Sequence, residues 1–285
     1  MQLVKPKVRE RERALLVTAG RIYLGIAFIF LMLPIVTLVV FSFQKNQYAS
    51  IPGQGWSLRW YTKLFQDDAL ISALYNSLVV SPLAATIACV VGFFAAYATN
   101  RFIFPGRAAL SIIIVLPLLI PPLILGIAFL GLLSRLGVQG QLAVLLTHVV
   151  LVTAPAMAII QLRLAQMPSS LEEAAWNLGA NERQALWRVV LPFALSGIAG
   201  GWLLAFTFSF DEFVISWFVS GFEPTLPVTI YSYLVGSADP CLNAIASLIF
   251  VLSGLALLGV ELFLIPMLGQ VRKPGAAPFP AEGQA

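Results

Sequence analysis

The stretch Pro168-Ser-Ser-Leu-Glu-Glu-Ala-Ala-Trp-Asn-Leu-Gly179-Ala-Asn-Glu-Arg-Gln-Ala-Leu-Trp-Arg-Val-Val-Leu-Pro192 is a polar, patterned island between two long apolar runs. Ser170 precedes Glu173 by the capping-box spacing, in which a hydroxyl and a carboxylate each serve one free amide of a helix start. A helix is therefore expected from about Leu171. Leu171, Ala174, Ala175 and Leu178 recur at i, i+3, i+4 and i+7 and form one apolar stripe. Gly179 can end that helix in a left-handed conformation. Asn181 and Gln184 repeat the capping spacing and open a second short helix, Glu182 to Val190, before Pro192 leads into the next apolar run. Two short helices hinged at a glycine make a knob suited to a groove on another protein. The plainer use of such a stripe is to lie on lipid.

The rest of the chain explains why a polar island stands out. Of 285 residues, 59% are hydrophobic and 11% charged, and the mean hydropathy is +0.90, whereas about a quarter of the residues of soluble domains are charged. Most of this chain must be solvated by lipid. A bilayer core of roughly 30 Å takes about 20 helical residues. Six runs are long enough: Ile22–Phe43, Ser77–Thr99, Ala108–Leu133, Leu142–Leu162, Gly197–Ser220 and Asn243–Met267. Backbone groups cannot go unpaired in lipid, so the expected fold class is an all-α membrane protein with six transmembrane helices. The first run exceeds the roughly 15 residues of a signal-peptide core and lacks a small-residue cleavage pattern, so it is expected to remain as an anchor.

Charge sets the topology. Thirteen of the 17 Lys and Arg residues fall on one side of these six runs and four on the other, and the side rich in basic residues is the cytoplasmic one. Both termini are thereby expected in the cytoplasm. The net charge of +4 is read as topology and implies no nucleic-acid partner. The expected organisation is a basic cytoplasmic segment 1–21, a first helix 22–43, an outer loop 44–76, a five-helix core 77–267 holding the cytoplasmic loop 163–196, and a disordered cytoplasmic tail 268–285 rich in Gly, Pro and Ala. Within the outer loop, Ser57 is expected to cap a short helix whose Trp60, Tyr61, Leu64 and Phe65 lie at the membrane interface as an aromatic belt.

The island also carries a resemblance. Glu173-Ala174-Ala175, three residues, Gly179, nine residues, then Val189-x-Leu191-Pro192 is similar to the EAA loop of the permease subunits of ATP-binding-cassette importers, with Val189 where that family usually has Ile. The resemblance extends over roughly residues 70–267. It implies a type I importer permease fold (MetI-like). It also implies that Glu173, Ala174, Ala175, Gly179, Leu191 and Pro192, with Glu172 adjacent, dock on an ATPase subunit. The implied partners are a second permease in a heterodimer, two copies of the ATPase and a periplasmic or extracellular substrate-binding protein, all at a bacterial inner membrane. The chain has no G-x-x-x-x-G-K-[ST] phosphate loop, so it is not expected to be an enzyme, and no catalytic residue or cofactor is assigned.

Within the fifth run, Asp211 and Glu212 place two carboxylates at a depth where charge is costly unless it faces a cavity or partner. Thr207 and Asp211 share one helical face, and Ser209, Glu212 and Ser216 another. Thr207, Ser209, Asp211 and Glu212 are the candidates to line a path, with Asp211 favoured. Trp202 to Gly221, the Ser57–Tyr61 stretch and Asn76-Ser77-Leu78 look like the spermidine/putrescine branch of the family. That implies a polyamine substrate, which carboxylates and aromatic faces suit through charge pairing and cation–π contact. Cys241, where polyamine-type relatives tend to be polar or acidic, departs from that pattern, and the alternatives are a same-fold permease for ferric iron or a secondary transporter.

Three further readings concern packing. Gly197 with Gly201, and Ser196 with Gly200, are small-xxx-small pairs for close helix contact. Pro117, Pro121 and Pro122 are expected to kink the third span. His148, the single histidine, is read as an interhelical hydrogen-bonding group, since one histidine cannot make a metal site. Glu261 is expected to reach the cytoplasmic interface or pair with Arg272 or Lys273.

Overall fold

The computed structural model describes residues 6–45, 55–236, 241–251 and 254–255, and these fall into two compact units, residues 67–236 and the described parts of 1–66 and 237–285. The tail 268–285, Glu261, Arg272, Lys273 and the later part of the sixth run lie outside the described residues.

In the smaller unit, α1 (Pro6–Ser42) begins well ahead of the predicted run, and no residue of its stretch Leu15–Phe41 is buried within the chain. A predominantly apolar helix of this length belongs in lipid or against another membrane protein. The short helix α2 (Arg59–Phe65) forms where expected, but Leu58 and not Ser57 is its N-cap residue and no side chain caps it; Ser57, one residue earlier, accepts at Oγ from Arg59 N at 3.1 Å. Its tryptophan corrects one expectation. Trp60 is 2% exposed and donates from Nε1 to the Gln44 carbonyl at 2.7 Å. It is thus a packing residue and not part of an interfacial belt, because an indole N–H buried with its ring takes a backbone partner. A further apolar helical stretch, Cys241–Val251, also lies in this unit.

The larger unit is built on α3 (Asp68–Arg101), which starts nine residues before the predicted run. Asp67 accounts for the extension: its Oδ1 accepts from Ala69 N and Leu70 N, both at 3.1 Å, as an N-cap. Next come α4 (Arg107–Leu119) and α5 (Pro122–Arg135), meeting at 106°. The third run is therefore a sharply broken pair and not a kinked span. A proline drives the residue before it out of the helical region. Ile120 and Pro121 accordingly have ψ of 132° and 129°, while Pro117 stays inside α4.

After α6 (Gly140–Leu164) the chain forms α7 (Ser170–Asn177) and α8 (Glu182–Ala185), a π-helical turn (Leu186–Val190), α9 (Leu191–Asp211), α10 (Val214–Val219) and α11 (Leu226–Gly236). The expected unbroken fifth span, Gly197–Ser220, is thus corrected. It runs from Glu182 through the π turn to Asp211, and then breaks. α11 was not anticipated; it is short and apolar and falls in what reads as an outer loop.

α3, α6 and α9 pack pairwise around a core in which Ala85, Ala88, Ala96, Ala156, Ala194 and Ala205 are fully buried. Lipid provides no hydrophobic drive between helices, so close backbone approach does the work. A Cβ on Gly92 would stand 3.1 Å from Met157 N, and one on Gly201 would stand 3.0 Å from the Ala156 carbonyl oxygen. On Gly197 it would meet Arg163 Cβ at 2.5 Å, whereas Gly200 is in ordinary contact at 3.5 Å from Ile159. Trp202 Nε1 adds a donor to Thr86 Oγ1 at 3.0 Å, tying α9 to α3.

Of the two small-residue pairs, Gly197/Gly201 is thus the tight one. Gly92→Val and Gly201→Val are expected to lower stability by about 1–3 kcal/mol each through overpacking, seen as lower melting midpoints in detergent, while Gly200→Ala leaves the midpoint unchanged.

Candidate functional site

The Pro168–Pro192 island folds as an elbow. α7 starts at Ser170, with Ser169 at the N-cap position and no side-chain cap, so Ser170 does not form the expected capping box with Glu173. Ser170 is already in the first turn, where the acidic Glu172 and Glu173 suit the positive helix end. The far end matches expectation. Gly179 has φ of +86°, its N–H donates to the Trp176 carbonyl at 2.9 Å, and Ala180 N–H donates to the Ala175 carbonyl at 3.0 Å. These are the paired bonds of a Schellman stop. Nothing lies within 4 Å of a Cβ added to Gly179, so its backbone conformation alone requires glycine.

Across the elbow, Asn181 and Gln184 form a complete reciprocal box at 2.9 and 3.0 Å. The second helix does not stop at Val190. Pro192 lacks an N–H and its ring crowds the Arg188 carbonyl, and the π turn just before it widens the helix enough to pass. Arg163, at the end of α6, donates from Nε to the Phe193 carbonyl at 3.2 Å and lies 4.1 Å over the Phe193 ring, fastening the first turn of α9.

The apolar stripe of α7 does not pack into this chain. Leu178 is 89% exposed, and Leu171, Trp176 and Trp187 are exposed as well. Ala175, Leu178, Gly179, Ala180, Gln184, Arg188 and Val189 line a hollow of about 390 Å³ at the elbow. Contiguous exposed apolar surface of this kind marks a contact site.

One residue of the island does turn inward. Glu172 is 5% exposed, and its Oε2 lies 3.0 Å from Arg101 Nε at the end of α3. This pair joins the elbow to the core. Sequence reading missed Arg101, counting it only as a topological charge. Among the described residues, Glu172 Oε1 and Arg101 Nη2 are buried without a hydrogen-bond partner. Burial pushes the Glu172 carboxyl above its usual range, and the Arg101 guanidinium opposes that rise.

The path candidates separate at the break after α9. Thr207 and Asp211 are exposed, and the Thr207 hydroxyl donates to the Leu203 carbonyl within its own helix at 2.8 Å. Ser209 is buried and lies 2.8 Å from His148 Nδ1, so it faces the core and offers no surface to a path. Glu212 accepts at Oε1 from Ile215 N at 2.8 Å, which serves a free amide at the start of α10. Glu212 and Ser209 are thus occupied by the chain itself, which leaves Asp211 and Thr207 outward. Beyond the break, Phe213, Trp217 and Tyr231 form an aromatic cluster with centroids 4.8–5.8 Å apart. His148 makes the interhelical bonds expected of it.

Comparison with known proteins adds four findings. Residues 88–266 match the family described as binding-protein-dependent transport system inner membrane component. The chain is 37% identical over 253 residues to the putrescine transport system permease protein PotI of Escherichia coli (strain K12), covering 86% of this chain and 87% of that one. It is 36% identical over 233 residues to the spermidine/putrescine transport system permease protein PotC of Haemophilus influenzae (strain ATCC 51907 / DSM 11121 / KW20 / Rd), covering 81% and 90%. The fold is similar to a chain of a bacterial ABC transporter involved in the import of the acidic polysaccharide alginate. There the TM-score is 0.66 at 16% identity, over 96% of this chain and 100% of that one.

The Glu172–Arg101 pair has a pH signature. A buried carboxyl with a raised pKa contributes stability while protonated, and that contribution is lost as pH rises through the raised value. Without Arg101 the loss deepens. The melting midpoint of Arg101→Ala is expected to fall more steeply than that of the wild type from mildly acidic to neutral pH, and Glu172→Gln in the same background removes the difference.

Proposed function

Since the chain belongs to the family of binding-protein-dependent transport system inner membrane components, we propose that it forms half of the membrane pathway of an ATP-driven polyamine importer for putrescine or spermidine. The observation that carries the substrate is the 37% identity, over most of both chains, to a putrescine permease. The exposed Asp211, close in sequence to an aromatic cluster, supports it, because a flexible polycation pairs with carboxylates and stacks on aromatic faces.

In this reading the chain crosses the inner membrane six times with both termini in the cytoplasm. The broken α4–α5 pair is the third crossing, α9 with α10 the fifth, and the run from Asn243 the sixth. The bias of basic residues supports that sidedness. It puts residues 163–196 on the cytoplasmic face, with the loop 44–76 outside.

The elbow is the coupling element. Glu173, Ala174, Ala175 and Gly179 meet one of two separate ATPase subunits. Leu191 and Pro192 carry its movement into α9, and Glu172 ties it to α3 through Arg101. A second permease completes the pathway, and a periplasmic binding protein delivers the solute. Thr207 and Asp211 face the path. The exposed stripe on α7 supports docking over a lipid-facing role, because the elbow is held rigidly to α3 by a buried ion pair.

Gly179→Leu forces a branched side chain into the left-handed region, at a cost of about 1–3 kcal/mol. ATP-driven putrescine uptake by the reconstituted complex is expected to fall by at least about tenfold with normal membrane insertion, and undiminished uptake would defeat the coupling reading. Asp211→Asn is expected to raise the KM for putrescine in the same assay. Uptake driven by an ion gradient without ATP would instead indicate a secondary transporter.

A further inference from the structure

His148 lies within α6, and among the described residues it is a buried titratable group with no part in the proposed pathway. It is 1% exposed. Nδ1 is 2.8 Å from Ser209 Oγ and Nε2 is 2.9 Å from Ser216 Oγ. Both serines are buried as well. One imidazole thus spends both nitrogens on two hydroxyls, one donating and one accepting.

The two serines lie on opposite sides of the break. Ser209 is in the last turn of α9, and Ser216 is in α10. In an unbroken helix seven residues would separate them by roughly 10.5 Å of rise at 1.5 Å per residue. A single ring with one short hydrogen bond on each side falls short of that distance. The bridge exists only because the chain leaves the helix at Glu212, where ψ is 113°. Glu212 then starts α10 by accepting from Ile215 N at 2.8 Å. The neighbouring Thr147 is fully buried too, but its hydroxyl donates only to carbonyls of its own helix, at 3.0 and 2.9 Å. It has no share in the bridge.

We propose that His148 is a positioning residue: it splints the broken fifth span from α6 and so holds the turn that presents Asp211. This rests on the reading that Asp211 faces the substrate path. α6 also runs on into the elbow, so the rod that bears the splint is the one whose far end carries α7. The Asp211 turn is thus held both by α9, which starts at the elbow, and from α6 by two hydrogen bonds.

The test uses the full chain reconstituted with its partner subunits, with Cys89 and Cys241 replaced by alanine and Asp211→Cys introduced as a reporter for a membrane-impermeant maleimide. His148→Phe keeps the ring and removes both hydrogen bonds. It is expected to change the labelling rate at position 211 by at least about fivefold, the factor that one hydrogen bond is worth. Thr147→Val should leave the rate unchanged. Putrescine uptake is measured separately with Asp211 intact, and His148→Phe should raise KM more than it lowers kcat. If His148→Phe does not insert, Ser209→Ala and Ser216→Ala each remove one bond and should each shift the labelling rate. Unchanged labelling in the inserted variants overturns the splint. Shifted labelling with unimpaired uptake upholds the splint and instead removes Asp211 from the path.

Discussion

Helices in lipid have to come close enough for their backbones to touch, and here three glycines set that distance. At Gly92, Gly197 and Gly201 a single added carbon would stand 2.5–3.1 Å from a neighbouring helix. The core of α3, α6 and α9 sets many alanines beside larger side chains such as Phe93, Leu151, Met157 and Ile160. Because the hydrophobic effect has already been satisfied by insertion, dispersion and a few hydrogen bonds must hold the three helices. Everything else in the larger unit hangs from this trio. The elbow connects α6 to α9, the ion pair ties the elbow to α3, and His148 reaches from α6 to both sides of the α9–α10 break.

The departures from regular helix fall at particular residues. Direction changes are concentrated at residues that end helices: Pro121 and Pro122 between α4 and α5, Gly179 in the elbow, and Glu212 after α9. At each, the freed backbone groups or the altered direction are handled locally. The prolines lack an amide to satisfy, the glycine closes a Schellman stop, and the Glu212 carboxylate receives an amide of the next helix. Family membership and the likeness to polyamine permeases fit this construction, in which stiff rods meet at discrete joints.

Some of the site was legible because its signals are local. Gly179 and the Asn181–Gln184 box are governed by the conformational freedom of one residue and by the reach of one side chain over three positions, so spacing alone reveals them. The same logic misled at Ser170, where the identical spacing occurs one residue inside the helix and no cap forms. The π turn before Pro192 was also hidden. The missing amide is plain in the sequence, but whether a helix ends or widens there depends on how firmly the next turn is anchored, and here Arg163 holds the first turn of α9 in place.

By itself the sequence determined that this is a helical membrane protein, roughly where its apolar runs lie, which stretch forms a glycine-hinged knob and which family it resembles. Those properties arise from composition, period and short-range geometry, which operate within a few residues along the chain. Only the tertiary structure decided that Glu172 turns inward to Arg101, that Ser209 serves His148 and that Glu212 starts a helix, leaving Asp211 outward. These assignments pair residues separated by as many as 71 positions, as with Arg101 and Glu172. Which carboxylate is matched and which is left free depends on which helices have been brought side by side.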